Sequence, residues 1–287
     1  MASLHVRRLS AIAIAGALLF ALSACQTNTG TNYVALGDSY TAGPLIPNQS
    51  LSPLGCLRSD HNYPSLIAPT LGLAGSFTDV SCSGAETNEM FNAQNVTPGP
   101  ANPPQLDAID SNTRVVTIGI GGNDIGFSSI VEGCINLDPF ATPCQDQYVT
   151  ASGDVLAQRI AATAPKIAAV LQGAHQKNPN AKVFLIGYPD ILPPTTGCWP
   201  ALPILPADIP YLNNTEIELN AMLAQEAAAN GATFVDTYTG TEAHNACSSD
   251  PWIEKVIPDS SAAPAHPNAE GMQGEANIIG PFIKARI

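Results

Sequence analysis

Four short runs rich in Val, Ile and Phe, each closed by turn residues, constrain the fold more than anything else in the chain: Tyr33–Leu36, Arg114–Gly119, Lys182–Gly187 and Ala232–Thr237. Unbroken apolar runs of this length suit strands buried on both faces, as in parallel sheets. Helix-length segments lie between them. Residues 154–176 repeat Leu156, Ile160, Ile167, Val170 and Leu171 at helical spacing, and residues 210–230 carry Leu212, Ile217, Leu219, Met222 and Leu223. A last helix follows Pro267 and ends near the C-terminus. Strands separated by helices predict a parallel sheet covered on both sides, so the expected class is α/β: a three-layer α/β/α sandwich with a central, mostly parallel sheet.

The chain shows no repeat of fixed period, no heptads and no long run of like charge, which argues against solenoids, coiled coils and acidic tails. Its first 25 residues stand apart: Arg7 and Arg8, an apolar stretch from Ala11 to Leu22, then Ser23-Ala24-Cys25. This is the layout of an export signal, and it falls short of the roughly 20 apolar residues of a spanning helix. Leu22-Ser23-Ala24-Cys25 also resembles a bacterial lipobox, in which the cysteine is lipidated and becomes the mature N-terminus; the alternative is an ordinary cleavage site beside a chance cysteine. The expected organisation is a signal over 1–25, a polar tether over 26–32 and one domain over 33–287. Such a tether reaches at most about 3.3–3.6 Å per residue, which keeps an anchored domain close to the outer side of the cytoplasmic membrane; secretion is the alternative location.

Seven cysteines are an odd count for an exported chain, and setting Cys25 aside leaves Cys56, Cys82, Cys134, Cys144, Cys198 and Cys247. Six cysteines pair in many ways and sequence does not choose among them; pairing of neighbours, Cys56–Cys82, Cys134–Cys144 and Cys198–Cys247, is the expectation in an oxidising compartment. Structural zinc is disfavoured because no CxxC or paired Cys/His spacing occurs. Losing Arg7 and Arg8 takes the 11 basic residues to 9 against 24 acidic ones, a net charge near −15. That balance argues against nucleic acid and against electrostatic binding to anionic lipid surfaces.

The first apolar run stops abruptly, because YVALGDSYTAG passes from strand to Gly37-Asp38-Ser39 without a linker. Ligands of open α/β sheets bind beyond the carboxyl ends of strands, which is where this serine is delivered. Taken alone, the stretch reads equally well as a helix cap. Two further segments separate the readings. RVVTIGIGGNDIGF lacks the third glycine of a dinucleotide fingerprint and places the amide of Asn123 just past a strand, suited to a developing oxyanion. SCSGAET places Gly84, with an unobstructed backbone N–H, after another strand. A serine nucleophile also needs a base. Of five histidines, His5 leaves with the signal, and His61, His175 and His244 lie in polar or helical surroundings expected at the surface. His266, in APAHPNAEG, is pinned between Pro264 and Pro267 at the mouth of the last helix, whose positive end disfavours imidazolium.

Gly37-Asp38-Ser39-Tyr40, Gly84, Gly121-Gly122-Asn123-Asp124 and His266-Pro267-Asn268 resemble, in order and spacing, the blocks of the SGNH, or GDSL, hydrolase family. The likeness runs over nearly all of the mature chain and is strongest to the secreted lipase/esterase branch with three disulfides. It implies an SGNH, flavodoxin-like fold with Ser39 as nucleophile and His266 as general base. The oxyanion hole it implies consists of the Ser39 and Gly84 N–H groups with the Asn123 side chain, and no cofactor or metal is implied. The α/β-hydrolase fold is a different matter, since no G-x-S-x-G elbow occurs. One position departs from the pattern: the family usually has an aspartate three residues before the histidine, and here it is Ala263. A backbone carbonyl near Ala263 is therefore expected to orient the ring, with Asp259 as the alternative orienting acid. Asp38 and Asp124 read as turn-forming and bracing residues, and Tyr40 either lines the site or packs.

These implications add up to a serine ester hydrolase, a lipase or esterase working through an acyl-enzyme on a small ester or lipid, at the cell envelope or outside the cell, as a monomer. The proline-rich segment 188–210, with Trp199, Leu202, Ile204 and Leu205, suits an acyl-chain wall or a core-packing crossover equally. The same residues also serve a carbohydrate O-acetyl esterase or an acyltransferase. Ala263 alone leans towards a non-catalytic, ligand-binding envelope lipoprotein.

Overall fold

The computed structural model describes residues 32–287. The expected signal, Cys25 and all but the last residue of the tether lie outside the described residues. In chain order the elements are β1 (Tyr33–Gly37), α1 (Ser39–Ala42), α2 (Tyr63–Leu71), β2 (Phe77–Asp79), β3 (Val115–Gly119) and α3 (Phe127–Cys134). There follow α4 (Gln145–Tyr148), β4 (Val149–Thr150), β5 (Gly153–Asp154), α5 (Val155–Lys177), β6 (Lys182–Ile186), α6 (Ile209–Ala229), β7 (Thr233–Val235), α7 (Tyr238–Thr241) and α8 (Ala269–Lys284).

Five of these strands form one sheet in the order β2-β1-β3-β6-β7, with every neighbouring pair parallel; β4 and β5 form a separate antiparallel ribbon. Side chains alternate across the sheet as the period of two requires. Val34, Leu36, Val116, Ile118, Val183 and Leu185 face a core completed by α5 and α6, whereas Tyr33, Ala35, Val115, Phe184 and Ile186 face a second core under α2 and α8. Each fully buried large apolar side chain contributes roughly 1.5–3 kcal/mol, so both faces are held. The result is the three-layer α/β/α sandwich.

The strand order places the site. From β1 the chain moves to β2 on one side, then returns to β3 on the other, so the crevice at the carboxyl ends of β1 and β3 is the switch point at which ligands of such sheets bind. Disulfides join Cys56 to Cys82, Cys134 to Cys144 and Cys198 to Cys247. They fasten the loops around that end of the sheet. One residue of the expected helix pattern is displaced: Ile217 is 42% exposed, and its place on the inward stripe of α6 is taken by Glu216.

Candidate active site

The turn after β1 is held from several sides. Gly37 N–H donates to Gln105 Oε1 at 2.7 Å and the Gln105 amide donates back to Gly37 O at 2.9 Å, while Cys82 N–H donates to the same carbonyl at 2.9 Å. A Cβ on residue 37 would lie 2.2 Å from Thr41 Oγ1 and 2.6 Å from Gly119 O, so close approach requires glycine here. Asp38 does cap α1, its Oδ1 accepting the Tyr40 N–H at 2.9 Å. The capping reading and the nucleophile reading are therefore compatible, since the cap sets Ser39 as the first helical residue with its side chain turned to the crevice.

Ser39 Oγ and His266 Nε2 are 2.7 Å apart. On the far side of the ring, Nδ1 is 2.7 Å from the Pro264 carbonyl oxygen. A carbonyl only accepts, so Nδ1 carries the proton and Nε2 presents its lone pair to the serine hydroxyl. Asp259, the alternative orienting acid, is not at the ring: its carboxylate pairs with Lys255 Nζ at 2.7 Å, and its side chain is 73% exposed. The i, i+4 partner and open solvent are a better environment for its charge than the desolvated side of an imidazole. Removal from water in the crevice holds the His266 pKa below its ordinary value, and the Pro264 hydrogen bond opposes this in part. The ring is accordingly neutral at neutral pH. His61 Nδ1 pairs with Asp60, and His244 stacks on Trp252 with ring centres 3.7 Å apart, so neither belongs to this pair.

The histidine loop depends on two residues that sequence reading missed or left undecided. Glu254, buried, accepts from Asp259 N–H at 2.6 Å, Ser260 Oγ at 2.6 Å and Asn268 Nδ2 at 3.2 Å, and its backbone N–H donates to His266 O at 2.9 Å. Tyr40 Oη donates to Ala265 O at 2.5 Å, and its ring lies on the imidazole with centres 4.8 Å apart. Together they hold Ala265 at φ 56°, a left-handed conformation costly for a residue with a Cβ.

Asn123, expected to face an oxyanion, lines the same crevice as Ser39 and His266. Asn123 is placed by its Nδ2, which donates to Ala85 O at 2.9 Å, and Asp124 braces the same loop by accepting from Thr87 N–H at 2.9 Å and Thr87 Oγ1 at 2.6 Å. Lys166 Nζ completes the Asp124 bonds at 3.1 Å. Gly84, one residue before Ala85, has φ +79°, a conformation suited to glycine. Among the described residues, neither the Gly84 nor the Ser39 N–H has an acceptor. A buried chain then ties the β1 and β3 turns together: Gly122 N–H donates to Tyr188 Oη at 2.7 Å, which donates to Asp38 Oδ2 at 2.6 Å. Burial pushes the Asp38 carboxyl up to about 7, against the hydrogen bonds it accepts from Tyr188 Oη and the Tyr40 N–H.

Beside the pair opens a narrow cleft lined chiefly by apolar side chains, among them Phe127, Ile130, Ile191, Leu202, Ile204 and Leu219. The proline-rich segment both lines this cleft and packs into the core. Leu202 and Ile204 form wall, while Leu205 is buried and Trp199 donates its indole N–H to Asn136 O at 3.2 Å. Among the described residues, no group of three or more His, Cys, Asp or Glu is arranged to hold a metal ion.

A serine–imidazole pair beside unengaged N–H donors, at the carboxyl edge of a parallel sheet, has the form of an acyl-transfer site. The GDSL-like Lipase/Acylhydrolase family model matches residues 35–273, and the chain belongs to this family. It is a carboxylic ester hydrolase, similar to Lipase 2 of Streptomyces coelicolor, with 38% identity over 255 residues covering 86% of this chain and 83% of the relative. Among solved structures it is similar to phospholipase A1 from Streptomyces albidoflavus NA297, with TM-score 0.70 and 25% identity over 90% of this chain and 100% of that one. The extracellular lipase from Streptomyces rimosus superposes with TM-score 0.69 and 27% identity over the same shares.

Proposed function

We propose that the protein cleaves esters of medium and long acyl chains by two-step transfer through an acyl-Ser39 intermediate. His266 Nε2 takes the Ser39 Oγ proton as the oxygen adds to the ester carbonyl. The Ser39 and Gly84 N–H groups and the Asn123 amide stabilise the oxyanion. Its collapse breaks the bond to the alcohol, which leaves with the proton from His266. Water then enters, gives a proton to His266, adds to the acyl-enzyme and releases the acid, with the proton returning to Ser39. The Pro264 carbonyl holds the ring's tautomer in place of a carboxylate. The observation that carries this reading is the 2.7 Å Ser39–His266 contact at the mouth of an apolar cleft.

The cleft favours lipase-type chemistry over an acetyl esterase, whose two-carbon acyl group would leave its apolar wall unused. The lipase and phospholipase relatives support the same choice. Hydrolysis of p-nitrophenyl esters from acetyl to palmitoyl tests it: turnover should peak above butanoyl and fall by about 10⁴-fold or more in Ser39→Ala. A peak at acetyl, or full turnover in the variant, would overturn it. Export, with a lipid on Cys25, is part of the proposal and is consistent with the three disulfides. The mass of the mature N-terminus decides between a lipidated Cys25 and an unmodified one.

A further inference from the structure

On α6, Leu212, Thr215, Glu216 and Leu219 fall at i, i+3, i+4 and i+7, and all four line the cleft beside Ser39. The pattern calls for an apolar residue at 216, yet a carboxyl stands there. Glu216 is 7% exposed, and among the described residues no basic side chain pairs with it. Its Oε2 accepts the Ile191 N–H at 3.2 Å; its Oε1 has no hydrogen-bond partner within the protein. Burial, with the charge of Asp190 nearby, pushes this carboxyl well above the ordinary range and so favours its protonated form. A neutral carboxyl has one hydroxyl. Because Oε2 acts as the acceptor, the proton belongs on Oε1, which leaves a buried O–H donor without an acceptor on a wall whose other polar side chain on this helix face, Thr215, spends its hydroxyl on the Tyr211 carbonyl.

We infer that Glu216 forms a polar subsite within the acyl cleft, donating its Oε1–H to an oxygen on the substrate's acyl chain, and that the enzyme prefers esters of hydroxy-substituted acyl groups to plain alkyl esters of equal length. The inference rests on the reading of Ser39 as nucleophile and of the cleft as the acyl site. A wall made wholly of Leu and Ile rejects a buried hydroxyl, which must leave water unpaired. With Glu216 in the wall, a hydroxyl at the matching carbon is paired instead, and one elsewhere on the chain is not. The subsite therefore reads position as well as polarity.

The test is kcat/KM on p-nitrophenyl dodecanoates carrying one hydroxyl moved along the chain, each divided by the value for the unsubstituted ester. At one or two neighbouring positions this ratio should exceed that at the remaining positions by about 10-fold. Glu216→Gln, which keeps a carbonyl for Ile191 and an N–H donor for the ligand, should retain the peak. Glu216→Leu should flatten it, and Glu216→Met serves the same purpose if the leucine variant does not fold. A flat profile in the wild-type enzyme, or a peak that survives both apolar variants, overturns the inference while leaving the ester hydrolase reading intact so long as turnover needs Ser39. Turnover that persists in Ser39→Ala overturns both.

Discussion

Ser39 leaves β1 through one tight turn whose backbone is bonded to β3, to Gln105 and to Cys82, whereas His266 ends a stretch, residues 242–268, without a regular helix or strand. Ser39 takes its position from the sheet. The histidine takes its position from a buried carboxylate, Glu254, and from one tyrosine hydroxyl, Tyr40. Sheet hydrogen bonds are many and mutually reinforcing, so losing one contact there shifts little. A loop hung on a few polar contacts moves when one of them goes. The pair is therefore rigid on one side and conditionally rigid on the other, and this asymmetry predicts where activity and stability separate.

The sharpest contrast is between Asn123→Ala and Glu254→Ala. Removing the Asn123 amide should lower kcat by roughly 10²–10³-fold, with little change in Tm. Removing the Glu254 carboxylate should lower kcat by a similar factor, about 10²-fold, through misplacement of His266, and should also cost about 2–3 kcal/mol because four donors lose a buried acceptor. Steady-state kinetics and thermal melts on both variants check this, and equal stability losses would erase the distinction.

Titration separates the two sides in opposite directions. The folded Asp38 binds its proton near pH 7, against 3.8 for an ordinary aspartate, so its contribution to stability grows as pH falls through 7 towards 3.8. Asp190, held up to about 6, and the buried Glu216 and Glu275, also raised, act with the same sign. His266, lowered from 6.5, acts with the opposite sign, since the unfolded chain takes up its proton first as pH falls. Because the carboxyls outnumber it, Tm should rise as pH is lowered from about 8 to about 5. kcat/KM should meanwhile fall on an acid limb centred below pH 6.5, where Nε2 becomes protonated. An acid limb above 6.5 would contradict a desolvated imidazole.

Two smaller effects refine the account of the loop. Tyr40→Phe keeps the ring on the imidazole but loses the bond to Ala265 O, which should cost about 0.5–1.5 kcal/mol and lower kcat more than it raises KM. Asp259→Ala should change kcat by no more than about twofold and stability by less than about 1 kcal/mol, since its exposed pair with Lys255 is screened by water. A collapse of kcat in Asp259→Ala would return the carboxylate to the ring.

Much of this site was legible before the fold was known. Ser39, Gly84, Asn123 and His266 stand in short motifs whose glycines and prolines fix a local conformation, and the structure brings Ser39 and His266 into contact and sets Asn123 beside the Gly84 loop. Ile217 was misread because a helix stripe two residues wide cannot be phased to within one position by apolar residues alone, and a buried Glu216 gave no apolar signal. Glu254 was missed for a related reason. Nothing in its neighbours marks a carboxylate as buried, since its partners are backbone and side-chain donors of an irregular loop.

By itself the sequence determined what short-range forces decide: strands and helices from apolar periodicity, the tight turns from their glycines, and the delivery of a serine to the end of β1. The tertiary structure decided what depends on residues far apart in the chain. Tyr188 meets Asp38 across 150 residues and Gln105 clamps Gly37 across 68. It also settled which cysteines pair, that a carbonyl rather than Asp259 faces the imidazole, and that Glu216 is buried in the wall of the cleft. Burial and partnership belong to the packed fold, because whether a polar group keeps its water or must find a protein partner depends on everything folded around it.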